Sequence, residues 1–194
     1  FDALAPYEYI QFIPCLDGLD GQTRDYSLSS KAYLAFLKET FDRYHLAYTE
    51  GCPVSIRNFC DRIGVAKSAS VVEYAFLEHC LRVGRCGPSL VIESDGSVYP
   101  CDFYALDAWK LGSISDDSLR RMLTGEREQA FLAESLPVPA ACRACRWYSL
   151  CRNGCKRERV PETGLNRWCG GHPAFFEYAY PRMREMAEAL QKTV

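Results

Sequence analysis

Apolar and polar side chains alternate from Tyr7 to Ile13, in a run rich in aromatic and β-branched residues. That period of two predicts a strand, ended by Pro14-Cys15. Leu16 to Tyr26 carries Gly18, Gly21 and three aspartates and reads as a loop. Tyr33, Phe36, Leu37, Phe41 and Tyr44 then fall at helical spacing, with Lys38, Glu39, Asp42 and Arg43 between them and Ser29 or Ser30 as the cap. Strand, loop and amphipathic helix make one α/β unit, which cannot bury both of its faces alone. Cys52 to Val65 is mixed, punctuated by Pro53 and Gly64, and a second helix is expected from Ser68 or Ser70 through Leu77.

The texture then changes. Ser89 to Glu93 and Ser97 to Pro100 flank Asp95-Gly96, a strong hairpin signal. A short helix is expected from Asp116 or Ser118 through Met122. Leu136 to Ala141 reads as a connector because of Pro137 and Pro139, and Cys142 to Cys155 as a dense cysteine loop. From Pro173 onward Phe175, Phe176, Tyr178, Met183, Met186, Ala187 and Leu190 predict a closing helix, broken or started at Pro181.

Composition adds constraints rather than structure. With 194 residues, 48% hydrophobic, 25% charged and a net charge of −2, the chain is an ordinary folded protein and not a polybasic nucleic-acid binder. Its apolar runs fall short of a membrane span, and its first ten residues are not a signal peptide. There is no initiator Met, so the chain is expected to begin inside a longer protein.

Eleven cysteines are the anomaly. An odd count in a chain of this length, without a secretory signal, points to thiols kept reduced as metal ligands rather than to a disulfide framework. Eight fall in two groups: Cys80, Cys86 and Cys101, then Cys142, Cys145, Cys151, Cys155 and Cys169. A Cys-x2-Cys loop presents two sulfurs on one side of a tight turn, ready for one tetrahedral ion or two corners of a cluster. Eight thiolates complete two four-cysteine sites. Spacing alone leaves zinc and iron–sulfur both open. Cys15, Cys52 and Cys60 read as small core residues.

The order Cys, Cys, Gly-x4-Cys, Cys-x2-Cys-x5-Cys-x3-Cys, Cys resembles the SPASM domain, the two-cluster module of many radical SAM peptide-modifying enzymes. The likeness is greatest to the anaerobic sulfatase-maturating enzymes. It rests on Gln11 to Asp17, on Gly84-Arg85-Cys86, on Asp95 to Tyr104 with its Tyr99-Pro100-Cys101-Asp102-Phe103-Tyr104 stretch, and on Lys110-Leu111-Gly112. The resemblance implies an α/β fragment over residues 1–78, holding the last strand and helix of a partial (β/α) barrel. A small, loop-rich α+β SPASM-type domain with a β-hairpin would follow over 79–171, and a C-terminal helix over 172–194.

It also implies an interleaved ligand set. One auxiliary [4Fe–4S] cluster would take Cys80, Cys86, Cys101 and Cys155, and the other Cys142, Cys145, Cys151 and Cys169. The family's Cys-x3-Cys-x2-Cys loop, which leaves an iron open for S-adenosylmethionine, is absent from these 194 residues. S-adenosylmethionine and a third cluster are therefore expected only in a full-length enzyme, and this chain alone should be inactive. Such an enzyme would oxidise a Cys or Ser of an unfolded or nascent sulfatase peptide to Cα-formylglycine. It would be cytoplasmic and anaerobic and would need a reducing electron donor. The rival readings are another SPASM-containing peptide-modifying enzyme, or a non-catalytic metal-bound module that docks a peptide or an electron-transfer partner.

Asp102 follows Cys101. Its residue type suits a turn or cap, whereas the resemblance implies a general base for the substrate side chain. Arg143, Arg146, Arg152, Lys156, Arg157 and Arg159 crowd the second cysteine group, with Trp147 and Tyr148 among them. Beside thiolate clusters, cations offset negative charge and influence potential. His45, His79 and His172 are isolated and read as structural.

Overall fold

The computed structural model describes residues 7–19, 22–52, 54–67 and 83–191. The second helix expected from Ser68 or Ser70, together with His79 and Cys80, lies outside these residues. The fold is mixed α/β with two small sheets. It divides into two compact units, Phe1–Tyr74 with Arg167–Val194, and Ala75–Asn166.

In the first unit, strand β1 (Tyr9–Ile10) pairs in parallel with β2 (Ser55–Ile56). The regular strand is shorter than the alternation from Tyr7 to Ile13 suggested, and most of that run is exposed or half-buried. Beyond β1, Asn58 takes over the backbone pairing: it accepts from the Phe12 N–H (2.9 Å) and donates to the Phe12 carbonyl (3.0 Å). Helix α1 (Ser30–Thr49) starts where Ser29 accepts from the Ala32 N–H, as the sequence indicated. Its buried face is Tyr33, Leu37, Phe41 and Tyr44. Phe36, expected on that face, is 39% exposed and meets the rings of Phe12 and Tyr33, because it lies at the margin of the i, i+4, i+8 stripe.

Cys52 to Val65 contains an element the sequence reading missed. Helix α2 (Arg57–Lys67) follows β2 directly. Ile56, Phe59 and Ile63 are fully or nearly fully buried, at spacings of three and four, so the apolar stripe survives Gly64 in the helix interior. The last helix, α7 (His172–Gln191), runs through Pro181 without a break. Pro181 has no N–H to donate within the helix, a cost of about 3 kcal/mol. Burial of Phe175, Phe176 and Ala179 before it, and of Met183, Met186 and Ala187 after it, holds the helix together. Phe41 joins α1, α2 and α7, with Phe59 at 5.2 Å and Phe175 at 6.1 Å, both edge-on. Outside that core, Tyr178 and Arg182 of α7 donate to Asp42 of α1. Burial opposes ionisation of Asp42, but these hydrogen bonds outweigh it and hold its carboxyl below the ordinary value.

The second unit is built on a three-stranded antiparallel sheet, β3 (Val91–Ile92), β4 (Ser97–Tyr99) and β5 (Gly112–Ser113). Asp95 accepts from the Ser97 N–H and hydroxyl, and Gly96 takes φ +82°, so the hairpin turns where Asp-Gly indicated. β5 was not expected, because two small residues carry no apolar period. Ser118 caps α3 (Leu119–Thr124), and α4 (Glu126–Ala133) follows it. The cysteine loop contains two single-turn helices, α5 (Ala140–Arg143) and α6 (Tyr148–Cys151). Among the described residues, no helix is long and apolar enough to cross a membrane.

Phe41→Ala should destabilise the first unit by about 3–5 kcal/mol, the usual cost of emptying a fully buried aromatic site. Urea unfolding followed by far-ultraviolet circular dichroism checks it. A change below about 1 kcal/mol would mean that the three helices do not depend on this ring.

Candidate metal centre

None of the ten described cysteines forms a disulfide. Cys15 and Cys52 are exposed in loops rather than in the core, and Cys60 is half-buried, 3.5 Å from the Tyr44 hydroxyl and 3.6 Å from that of Ser55. The expectation of three core thiols therefore fails for the first two, which lie in segments with no apolar layer above them. His172 is buried against Tyr33 and Phe176, as a structural histidine would be.

Three thiols of the second unit, from segments far apart in sequence, share one neighbourhood. Burial is the main force raising the Cys86 thiol above its ordinary value, and Cys155 raises it further. Burial pushes Cys101 up to about 12, with Asp102 and Cys155 adding to the shift. Burial, followed by Cys155, Cys86 and Cys101, pushes the Tyr104 hydroxyl to about 12 as well. Cys155 therefore lies within electrostatic reach of both Cys86 and Cys101, and Tyr104 within reach of all three. Lys156 and Arg159 act in the opposite sense on Cys86.

Local structure explains the convergence. Cys86 is fixed through its N–H, which donates to the Ser135 hydroxyl at 2.8 Å, and that hydroxyl donates on to the Leu132 carbonyl. Cys101 ends the sheet segment and precedes a 3₁₀ turn, Asp102–Tyr104, with its Sγ 3.2 Å from Asp102 Oδ1. Cys155 follows three residues with left-handed φ: Arg152 (+52°), Asn153 (+65°) and Gly154 (+61°). That sharp reversal sets Cys155 at the start of the 3₁₀ turn Lys156–Glu158, where its Sγ accepts from the Arg157 N–H. The reversal is tied down by buried side chains. Asn153 donates to the Gly164 carbonyl and accepts from the Asn166 N–H, and Asn166 donates to Glu158. Arg159 binds the Ser135, Gly84 and Gly154 carbonyls, which joins the Cys86 and Cys155 loops through one guanidinium.

Cys142 is buried on α5, Cys145 follows in the next turn, and Cys151 ends α6; all three belong to the second unit. Cys169 belongs to the first. Among the described residues, no three His, Cys, Asp or Glu side chains close on a single-ion site. Asp102 is exposed beside Cys101. The basic residues divide by role: Arg146 lies over Trp147 and Arg152 over Tyr148, while Lys156 and Arg159 face the Cys86 region. Sequence spacing gave no sign of Ser135. The role of Gly84 was signalled only by its place in Gly84-Arg85-Cys86.

The donor set suits iron–sulfur clusters. Soft thiols lie near one another there, and burial favours the protonated form of Cys86 and Cys101 until a metal displaces the proton. Lys156 and Arg159 lie close enough to offset the charge of the resulting thiolates.

Comparison with known proteins agrees in kind. Residues 80–146 match the SPASM family, described as an iron–sulfur cluster-binding domain. The chain is 37% identical over 194 residues to the cysteine-type anaerobic sulfatase-maturating enzyme of Clostridium perfringens (strain 13 / Type A), covering 95% of this chain and 50% of that protein. It is 26% identical to the serine-type enzyme of Bacteroides thetaiotaomicron, covering 94% of this chain and 47% of that one. Among solved structures, "Native anSMEcpe with bound AdoMet and Cp18Cys peptide" superposes with a TM-score of 0.82 at 36% identity, over 94% of this chain and 51% of that one. The chain spans about half the length of the curated relatives it matches. The resemblance to the anaerobic sulfatase-maturating enzymes drawn from the cysteine order and the Tyr99-to-Tyr104 stretch is thus borne out.

The Gly84 position offers a test. Gly84 has φ +80°, and a Cβ there would collide with the Arg152 backbone carbonyl. Gly84→Ala should lower the iron retained after anaerobic reconstitution. Gly51→Ala, with a similar φ of +74° and open space around it, should leave iron content unchanged. Equal iron contents in both variants would show that the Gly84–Arg152 approach does not shape the centre.

Proposed function

We propose that the chain is the C-terminal part of a radical SAM anaerobic sulfatase-maturating enzyme, and that its second unit carries most of a two-cluster SPASM module. The observation that carries this reading is the shared environment of Cys86, Cys101 and Cys155, three of the four thiols in the first interleaved ligand set. Cys80 would complete that set, and Cys142, Cys145, Cys151 and Cys169 would hold the second cluster. When bound, such clusters supply one-electron transfer close to the substrate. The peptide bound in the solved relative and the higher identity to the cysteine-type enzymes support a cysteine-bearing sulfatase peptide as substrate. S-adenosylmethionine cleavage would belong to a segment outside these 194 residues, and the setting would be cytoplasmic.

The chemistry assigned to this chain centres on Asp102. Loss of a Cβ hydrogen atom leaves the substrate side chain as a radical. It must still lose an electron, for which an auxiliary cluster would be the acceptor, and a thiol proton to become a thioaldehyde, which water converts to the aldehyde of formylglycine with release of hydrogen sulfide. Asp102 supplies the base for that proton. Its Oδ1 contacts the Cys101 Sγ while that sulfur carries a hydrogen. With Cys101 as a cluster ligand this hydrogen would be gone, and the exposed carboxylate would be available to accept one from the substrate.

In the full-length enzyme, Asp102→Asn should preserve cleavage of S-adenosylmethionine while formylglycine formation falls by about 10²–10⁴-fold, the usual contribution of a positioned base. Quantifying 5′-deoxyadenosine and modified peptide in one reaction separates the two activities. Unimpaired peptide oxidation would make Asp102 a turn residue only. A joint loss of both activities with loss of iron would make it a support for Cys101.

A further inference from the structure

Lys156 follows Cys155, yet its side chain is only 11% exposed. A lysine is rarely taken out of water unless something compensates its charge. Three rings do so here. The ammonium lies 4.0 Å from the centroid of Phe131, 4.7 Å from that of Trp109 and 4.8 Å from that of Tyr104. The rings brace one another, with Tyr104 and Trp109 each edge-on to Phe131 at 5.1 and 5.2 Å. Negative π faces on three sides hold a cation in place. The Phe131 carbonyl lies 3.5 Å from Nζ. Glu134, whose side chain is 55% exposed, closes the open side at 2.6 Å.

The box stands beside the thiols. Its Tyr104 wall lies in the field of Cys86, Cys101 and Cys155, and the Lys156 charge reaches Cys86. A solvated surface lysine is largely screened, whereas this one is fixed and mostly out of water. Helix pairing, solubility and peptide binding give no reason to build such a box. Holding one ammonium fixed beside the sulfur ligands does, with Glu134 reaching it only from the solvent side.

We propose that Lys156, boxed by Tyr104, Trp109 and Phe131, is the residue that sets the reduction potential of the cluster held by Cys86, Cys101 and Cys155. The proposal rests on the cluster reading above. One-electron reduction adds a negative charge to a centre that is already anionic, and a fixed ammonium stabilises that state more than the oxidised one. Lys156 is thus a positioning residue for electron transfer and does not touch the substrate. Glu134 acts in the opposite sense, because its carboxylate partly neutralises the ammonium from the solvent side.

The test is a redox titration monitored by electron paramagnetic resonance on the anaerobically reconstituted holoprotein, with iron and sulfide counted first. Lys156→Met should lower the potential of one cluster by about 59 mV, a tenfold change in its one-electron reduction equilibrium. Lys156→Arg, which keeps the charge, should restore most of it. Glu134→Gln, at an exposed position, should shift the same cluster upward by a smaller amount. Unchanged potentials in Lys156→Met and Glu134→Gln at full iron content would overturn the proposal. If Lys156→Met loses iron, Glu134→Gln decides: an upward shift supports the proposal and no shift rejects it. Wild-type protein that binds no cluster would instead reject the cluster reading itself.

Discussion

A thiol buried until its pKa approaches 12 does not ionise unaided near neutrality, yet a thiolate is what a metal requires. That conflict holds for Cys86 and Cys101, beside Cys155. Protonated, the sulfurs bind no metal. Deprotonated without a metal, they would place like charges beside one another. Ligation resolves both problems, because the metal takes the place of the protons and joins the segments covalently. Among the described residues, the second unit has three short strands, four short helices and turns for a scaffold, so such a centre would add to the side-chain bonds that hold these loops.

What the protein chain contributes by itself is the placement of loops. Arg159 joins the carbonyls beside Cys86 and Cys155, Ser135 fixes the Cys86 backbone, and Asn153, Glu158 and Asn166 hold a left-handed reversal that few sequences would adopt. These bonds are made by the chain's own groups, and they fix the loops that carry Cys86 and Cys155. The first unit works differently. Phe41, Phe59, Phe175 and their neighbours bury a continuous aromatic core, and at its edge Asp42 accepts from Tyr178 and Arg182.

Strong local signals were legible in the sequence. The Ser29 cap, the α1 stripe, the Asp95-Gly96 turn and the Ser118 cap depend on neighbours close in sequence, and each appears where its pattern lies. The losses have separate causes. Helix α2 was hidden because Gly64 reads as a breaker while its burial stripe is only three residues long. β2 and β5 are two residues each, too short for a period to show. Pro181 reads as a break, but packing on both sides outweighs one missing hydrogen bond. At the centre, cysteine spacing marked the ligands as a group without saying which of them share a site. The pairing of Cys155 with Cys86 and Cys101 came from family resemblance, since it depends on a chain reversal built by residues with no common spacing. Ser135 and the rings around Lys156 left no trace for the same reason.

The account turns on Cys155 sharing a cluster with Cys86 rather than with its sequence neighbours Cys142, Cys145 and Cys151. Counting iron and sulfide in single and double variants tests this directly. The reconstituted wild type should hold about eight irons, two four-thiolate cubanes. Cys86→Ala and Cys155→Ala should each lose about four, and the double variant should lose no more than either alone, whereas Cys86→Ala combined with Cys145→Ala should lose nearly all. If the Cys86→Ala, Cys155→Ala double variant instead loses both clusters, the two cysteines belong to different centres and the interleaved arrangement is wrong.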